Sequence, residues 1–221
     1  MAKYSRAVAT LLLVRHGETD WNRDHRWQGF TGPSLNDLGR RQARDLAATI
    51  DHVDAIYSSD TERAYETALI LAERHGLDVQ TDDRLREVNF GLWEGLTRSQ
   101  INERFSGGFA RWLSGESSTP NGGESDEAMA ARVLAALSDL ANRHGDDERV
   151  LVVTSGGPIR AAQAHLKGVD QRLSRARVKT VQNCSLVGLV IRDGKWTAAD
   201  TTSGDCGHPS QTRPPSDNDR P

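Results

Sequence analysis

The stretch Leu11-Leu12-Leu13-Val14-Arg15-His16-Gly17-Glu18-Thr19 decides how this chain is read. Four consecutive apolar residues have the pattern of a buried strand. The run then ends in a cation and an imidazole, which a buried strand cannot hold unpaired, because uncompensated buried charge is costly. Arg15, His16 and Gly17 are therefore placed at the C-terminal mouth of that strand. There Gly17 lets the backbone turn and come close to a ligand. In open α/β sheets that edge is where ligands bind. An imidazole beside a guanidinium points to phosphate chemistry: a nucleophile next to a forked donor. Three residues alone are a weak signal, so the reading rests on what the rest of the chain adds.

The 221 residues are enough for one substantial core, and the length favours one domain. With 36% hydrophobic and 27% charged residues the composition is that of an ordinary globular protein. A net charge of -3, with both signs interspersed, argues against a nucleic-acid partner, which would need a basic footprint. No apolar run is long enough to cross a bilayer, so no membrane partner is expected. Residues 1–10 lack a secretory h-region. Cys184 and Cys206 make neither a disulfide framework nor a zinc site. A cytoplasmic location is the expectation.

Along the chain, strand and helix signals alternate. After the strand at residues 10–15 comes a polar, tryptophan-bearing loop, Asp20 to Ser34. A helix from Asn36 to Ile50 has Asn36 as its N-cap. Ala55-Ile56-Tyr57 reads as a strand. Ser59-Asp60-Thr61-Glu62 reads as a capping box with Ser59 at the N-cap, opening a helix that stops at His75-Gly76. Val79 falls in a short strand. A loop carrying Glu87 to Gly95 leads to a short helix at Arg98–Phe105. Residues 106–123, rich in Gly and Ser, read as a surface excursion, and 96–123 as a whole as a lid. Ser125 starts an alanine-rich helix ending near His144-Gly145. Val150–Val153 is a second buried strand, followed by a helix from Gly156 to Leu166. Ser185–Ile191 and Trp196–Ala199 form a hairpin turning at Asp193-Gly194. Such alternation predicts an α/β fold: a three-layer α/β/α sandwich with a mostly parallel central sheet. Residues 1–203 are expected to form one domain, and 204–221 a disordered tail.

Other residues fall in places similar to Arg15 and His16. Arg63 lies in the first turn of the helix after the Tyr57 strand. Thr154-Ser155-Gly156-Gly157 ends the second buried strand and opens a helix. A glycine-rich strand-to-helix turn offers backbone N–H groups at the positive end of a helix dipole, which suits an anion. Two arginines and such a turn can surround a phosphoryl group, because forked guanidinium donors match its oxygens.

Four blocks together resemble the histidine phosphatase superfamily, also called phosphoglycerate mutase-like. They are Leu13–Thr19 with Trp21-Asn22; Leu38-Gly39 with Gln42-Ala43; Ser58-Ser59 with Arg63-Ala64 and Thr67-Ala68; and Glu87 with Phe90-Gly91 and Trp93-Glu94-Gly95. The resemblance spans about residues 11–199 and implies the phosphoglycerate mutase-like fold. It also implies roles. His16 attacks phosphorus and carries the phosphoryl group. Arg15 and Arg63 hold the equatorial oxygens. Glu87 protonates the leaving alkoxide and then activates water. Asn22 is a further phosphate contact. No metal and no cofactor are implied, and the partner is a small phosphorylated substrate. Oligomeric state is not legible.

One position departs from the pattern. The family usually places a second histidine just before the glycine after the second buried strand, and here that residue is Ser155. Its hydroxyl can donate a hydrogen bond but brings no charge. Two roles stay open for it: an N-cap of the Gly156 helix, or a phosphate contact beside Gly156. His25, in the first loop, could supply a replacement imidazole, whereas His165, about two helical turns or more beyond Ser155, is expected to point elsewhere. The departure keeps three functions in play: a metal-independent phosphomonoesterase, a phosphoglycerate mutase-type transferase, and a phosphate-ester-binding protein with little or no turnover. In the family, cofactor-dependent mutases carry a longer segment after the acid–base Glu, so the resemblance, with its short run from Glu87 to Arg98, implies hydrolysis over the mutase. Trp21, Trp27 and Trp93 are read as packing, and the run Arg172, Arg175, Arg177 and Lys179, which could extend a site for a polyanionic substrate, is read as a solvated face.

Overall fold

The first strand, β1 (Thr10–Arg15), is buried at its four central positions, and its side chains divide by parity. Leu11 and Leu13 join one apolar cluster, and Leu12 and Val14 join another on the opposite face. A strand buried on both faces needs helices above and below it, and that need sets the layering. The structure is a computed structural model describing residues 9–114, 116, 122–145 and 147–201.

After β1 the chain forms α1 (Asp20–Arg23), α2 (Asp37–Thr49), β2 (Ala55–Ser58), α3 (Glu62–His75) and β3 (Val79–Thr81). Then come α4 (Arg98–Arg104), α5 (Gly108–Ser114) and α6 (Asp126–Arg143). The last elements are β4 (Arg149–Thr154), α7 (Gly156–Leu166), α8 (Ser174–Arg177), β5 (Leu186–Arg192) and β6 (Lys195–Ala199). The six strands lie in the order β3-β2-β4-β1-β5-β6. β1 to β4 run parallel to one another, and β5 pairs antiparallel with both β1 and β6. This is the mostly parallel sheet expected. One face is covered by residues of α2 and α3, among them Ala47, Ala68 and Leu71. The other is covered from α6 and α7, with Leu137, Leu140 and Ile159. No described helix is long and apolar enough to cross a membrane.

Three local readings change. The first loop is not wholly irregular. Thr19 caps the short α1, accepting from Asn22 N at 3.1 Å, while Asn22 Oδ1 accepts from Thr19 N at 3.2 Å. Asparagine closes this capping box where Glu or Gln is the usual signal. Ser59 is not the N-cap of α3. That position is Thr61, and the Ser59 hydroxyl lies 3.3 Å from that of Thr61 instead. The stretch 106–123 is also not all surface, since α5 buries Phe109 and Trp112 against Trp27 and Trp93. Two aromatic anchors outweigh the glycine and serine around them. The tail 204–221, with Cys206, lies outside the described residues.

Candidate active site

Register brings the two strand ends together. Arg15 of β1 is paired with Thr154 of β4, and His16 N donates to Thr154 O at 2.9 Å. The Arg15-His16-Gly17 turn therefore lies beside Thr154-Ser155-Gly156. Parallel neighbours end at the same edge, so their C-terminal loops form one crevice.

The turn after His16 is packed backbone to backbone. A Cβ on Gly17 would sit 2.5 Å from the Gly39 carbonyl oxygen, and one on Gly39 would sit 2.1 Å from that of Glu18. Only glycine fits this approach at either position. Gln42 Oε1 accepts from Glu18 N at 2.9 Å, and Asn36 Nδ2 donates to the Glu18 carboxylate at 3.0 Å. The block Leu38-Gly39 with Gln42 thus belongs to the support of the His16 turn.

His16 is 3% exposed and lines a cleft of about 1050 Å³. Its Nδ1 is 2.7 Å from the Gly17 carbonyl oxygen. A carbonyl can only accept, so Nδ1 carries the proton and Nε2 keeps the lone pair. Burial first, and then the charges of Arg63 and Arg15, hold the imidazole well below its ordinary pKa. The ring is neutral at neutral pH.

The two arginines are tethered by carbonyl groups. Arg15 Nη1 donates to Val181 O at 2.7 Å. Arg63 Nη2 donates to Gly29 O at 2.7 Å, and its Nη1 to Thr31 O at 3.3 Å. In both, the buried Nε has no partner. Neither forms an ion pair among the described residues. Burial lowers both pKa values, yet a guanidinium starts so high that it stays charged.

Glu87 lines the cleft and is held through both oxygens. Oε1 accepts from Val88 N and Oε2 from Gly157 N, each at 2.8 Å. The segment before it is clamped by Arg132 of α6, which donates to the carbonyls of Arg84, Arg86 and Glu87 at 2.7–2.8 Å. Asn22 also lines the cleft, and its contacts with Thr19 and Asn183 engage Oδ1. Its Nδ2 is therefore the donor it can present to a ligand.

Arg15, His16, Asn22, Glu87 and Gly156 line this one cleft, whereas Arg63 and Ser155 are buried and are not among its lining residues. Ser155 occupies the N-cap position of α7, but its hydroxyl makes no capping bond and has no other partner. The capping role does not hold. The model of the histidine phosphatase superfamily (branch 1) matches residues 11–203. The chain belongs to the histidine phosphatase superfamily.

Two relatives of this histidine phosphatase are themselves named as phosphatases. Phosphoserine phosphatase 1 of Hydrogenobacter thermophilus is 38% identical over 166 residues, covering 74% of this chain and 78% of the relative. Glucosyl-3-phosphoglycerate phosphatase of Mycobacterium tuberculosis is 39% identical over 165 residues, 71% of this chain and 74% of its own. The structure of a mycobacterial glucosyl-3-phosphoglycerate phosphatase complexed with VO3 is 34% identical with a TM-score of 0.76. The match covers 88% of this chain and 99% of that one. The fold is thus the phosphoglycerate mutase-like one, and the chain is a phosphatase of the histidine type.

Three further residues of this histidine phosphatase line the cleft beside those the sequence assigns to the site. Gln28 accepts from the Thr19 hydroxyl at 3.0 Å, and its buried Nε2 is unpartnered at the cleft. No local pattern marks it. Arg160 sits four residues after Gly156 on α7, and that spacing puts both on one helix face. Arg175 is not on a solvated face. It grips Asp126 with two bonds of 2.8 and 2.7 Å, lies 3.8 Å over the Trp112 ring and lines the cleft. Trp21 and Trp27 line the cleft as well, whereas Trp93 is core.

Proposed function

We propose that this histidine phosphatase hydrolyses a small phosphomonoester through a phosphohistidine on His16. The observation that carries the reading is the tautomer of that ring. With the proton on Nδ1 facing Gly17 O, a neutral Nε2 is left as the nucleophile. In the first step the Nε2 lone pair attacks phosphorus and the P–O bond to the leaving group breaks. The departing oxygen takes a proton from Glu87. In the second step water attacks phosphorus and gives its proton to the Glu87 carboxylate. The P–N bond breaks, and orthophosphate leaves.

Charge on the transferring group is met by Arg15, tethered through Nη1, and by Arg63, tethered through both outer nitrogens, each with an unspent Nε. Asn22 Nδ2 and the Gly156 turn, which line the cleft, complete the donor set. Donors fixed in advance need not reorganise as charge develops. No step uses a metal. The names of the two phosphatase relatives and the short run from Glu87 to α4 support transfer to water over return to a bound ester.

The test is turnover of p-nitrophenyl phosphate in the presence of EDTA, with phosphoenzyme trapped from a labelled ester. The native chain should turn over and label, and His16→Ala should do neither. Turnover without label, or label that survives His16→Ala, overturns the route. Collapse of activity in EDTA overturns the metal-free part.

A further inference from the structure

Glu94 has no place in the proposed chemistry, yet both of its carboxylate oxygens are engaged. Oε1 accepts from Phe30 N at 3.0 Å and from Phe90 N at 3.2 Å. Oε2 accepts from Thr31 N at 3.0 Å and from the Thr31 hydroxyl. Glu94 follows the single helical turn Gly91–Trp93, whose Trp93 is buried in the core. The carboxylate therefore ties the irregular loop at 29–31 to a fixed part of the protein. The close approach depends on Gly29, where a Cβ would lie 2.0 Å from Glu94 Oε1 and 2.7 Å from Val88 O.

The same loop holds Arg63. Its Nη2 donates to Gly29 O at 2.7 Å and its Nη1 to Thr31 O at 3.3 Å. The Gly29 carbonyl and the Phe30 N–H are the two ends of one peptide group. That group stands between carboxylate and guanidinium, with its oxygen on the cation and its N–H on the anion. Both bonds are charge-assisted, and each polarises the peptide in the sense that strengthens the other. Arg63 is 1% exposed and forms no direct ion pair among the described residues. Burial lowers its pKa, and the charges of Glu87 and Glu94 oppose that. We infer that Glu94 is a positioning residue: through the Gly29–Phe30 peptide it fixes the Arg63 guanidinium in the orientation that meets the phosphoryl group. Loop carbonyls left free to move would let the guanidinium swing, and a donor misplaced by about 1 Å loses much of its worth in the transition state. The inference rests on the phosphomonoesterase reading above and adds to it a residue that acts through Arg63.

The test is a double-mutant cycle read by turnover of p-nitrophenyl phosphate. Glu94→Gln offers one amide oxygen where two carboxylate oxygens accept, and sets an NH2 group against a backbone N–H. It should lower kcat/KM at least tenfold. In Arg63→Met the same change should cost less than about twofold, because the group it acts through is gone. Glu94→Asp, which keeps the charge on a shorter arm, should recover part of the loss. No loss in Glu94→Gln overturns the inference. So does a full loss on top of Arg63→Met, which marks a merely structural role. A second readout needs no turnover. Nitrogen-15 NMR of the native protein should show the Arg63 Nη atoms as separate signals, held against rotation, and Glu94→Gln should merge them. Merged signals in the native protein, or signals that stay separate in Glu94→Gln, overturn the inference. If the native protein does not turn over the ester, the phosphatase reading fails instead, and the NMR comparison alone decides whether Glu94 holds Arg63. If Glu94→Gln does not fold, Glu94→Asp takes its place in both measurements.

Discussion

The carboxylate of Glu87 accepts the backbone N–H of Gly157 at 2.8 Å, across 70 residues of sequence. The proposed acid–base group is thereby fastened to the first turn of the helix that follows Ser155. The fastening depends on a missing side chain, since a Cβ on Gly157 would lie 1.9 Å from Glu87 Oε1. The neighbour that must give way is the far end of a flexible side chain. Gly157→Ala should therefore fold with a nearly native melting temperature but lose kcat at least tenfold, about 1.4 kcal/mol in the barrier. Combined with Glu87→Gln the losses should not add, because both act on one group. Additive losses would show that Gly157 acts independently of Glu87.

His16 should be neutral well into the acid range. Its folded pKa is depressed, by burial first and by Arg63 and Arg15 next. Nitrogen-15 NMR should find the Nδ1–H tautomer at pH 6 and no titration near the free-imidazole value of about 6.5. Arg63→Met should raise the midpoint. For stability the sign follows directly. Below about pH 6.5 the unfolded chain takes up a proton that the folded one refuses, so this group's contribution is lost as pH falls. An ordinary midpoint for His16 would remove the reason given for its nucleophilicity.

Ser155 offers a cleaner separation of stability from activity than most buried polar residues. Its hydroxyl is buried and unpartnered, so Ser155→Ala removes an unsatisfied group and breaks no bond. Thermal or urea unfolding should show stability unchanged or slightly higher. If the hydroxyl donates to the phosphoryl group, phosphatase activity should fall roughly three- to tenfold, the worth of one hydrogen bond of about 0.5–1.5 kcal/mol. Full activity in Ser155→Ala would mean that the hydroxyl takes no part.

The Arg175–Asp126 pair is a structural prediction of the opposite kind. Both side chains are almost completely buried and are joined by two bonds. Asp126→Ala would strand a buried guanidinium over Trp112, at a cost of about 3–5 kcal/mol. Urea denaturation should show a fall of that size. Replacing both residues with apolar ones should recover much of it. A loss below 1 kcal/mol would show that Arg175 finds water or another partner easily.

Much of the site was legible because its residues sit at ends of elements that local pattern reveals. Val14 ends an apolar run, and Arg15 and His16 follow it. The buried strand Arg149–Thr154 is equally plain, and so is the start of the helix at Gly156. The signals that failed were short or ambiguous ones. The capping pattern at Ser59 competed with Thr61, and α5 lay inside a glycine- and serine-rich stretch that its two aromatics outweigh.

By itself the sequence determined which residues stand at strand ends and which chemistry they carry. Strand ends follow from hydrophobic runs, which are local, and side-chain chemistry needs no neighbours to be read. Only the tertiary structure decided what each polar group spends its bonds on. It put Thr154 beside Arg15, gave Glu87 its Gly157 anchor, freed Ser155 from capping and moved Arg175 from an assumed solvated face to a buried pair. Hydrogen-bond partners and burial depend on residues tens of positions apart, and spacing along the chain carries no record of them.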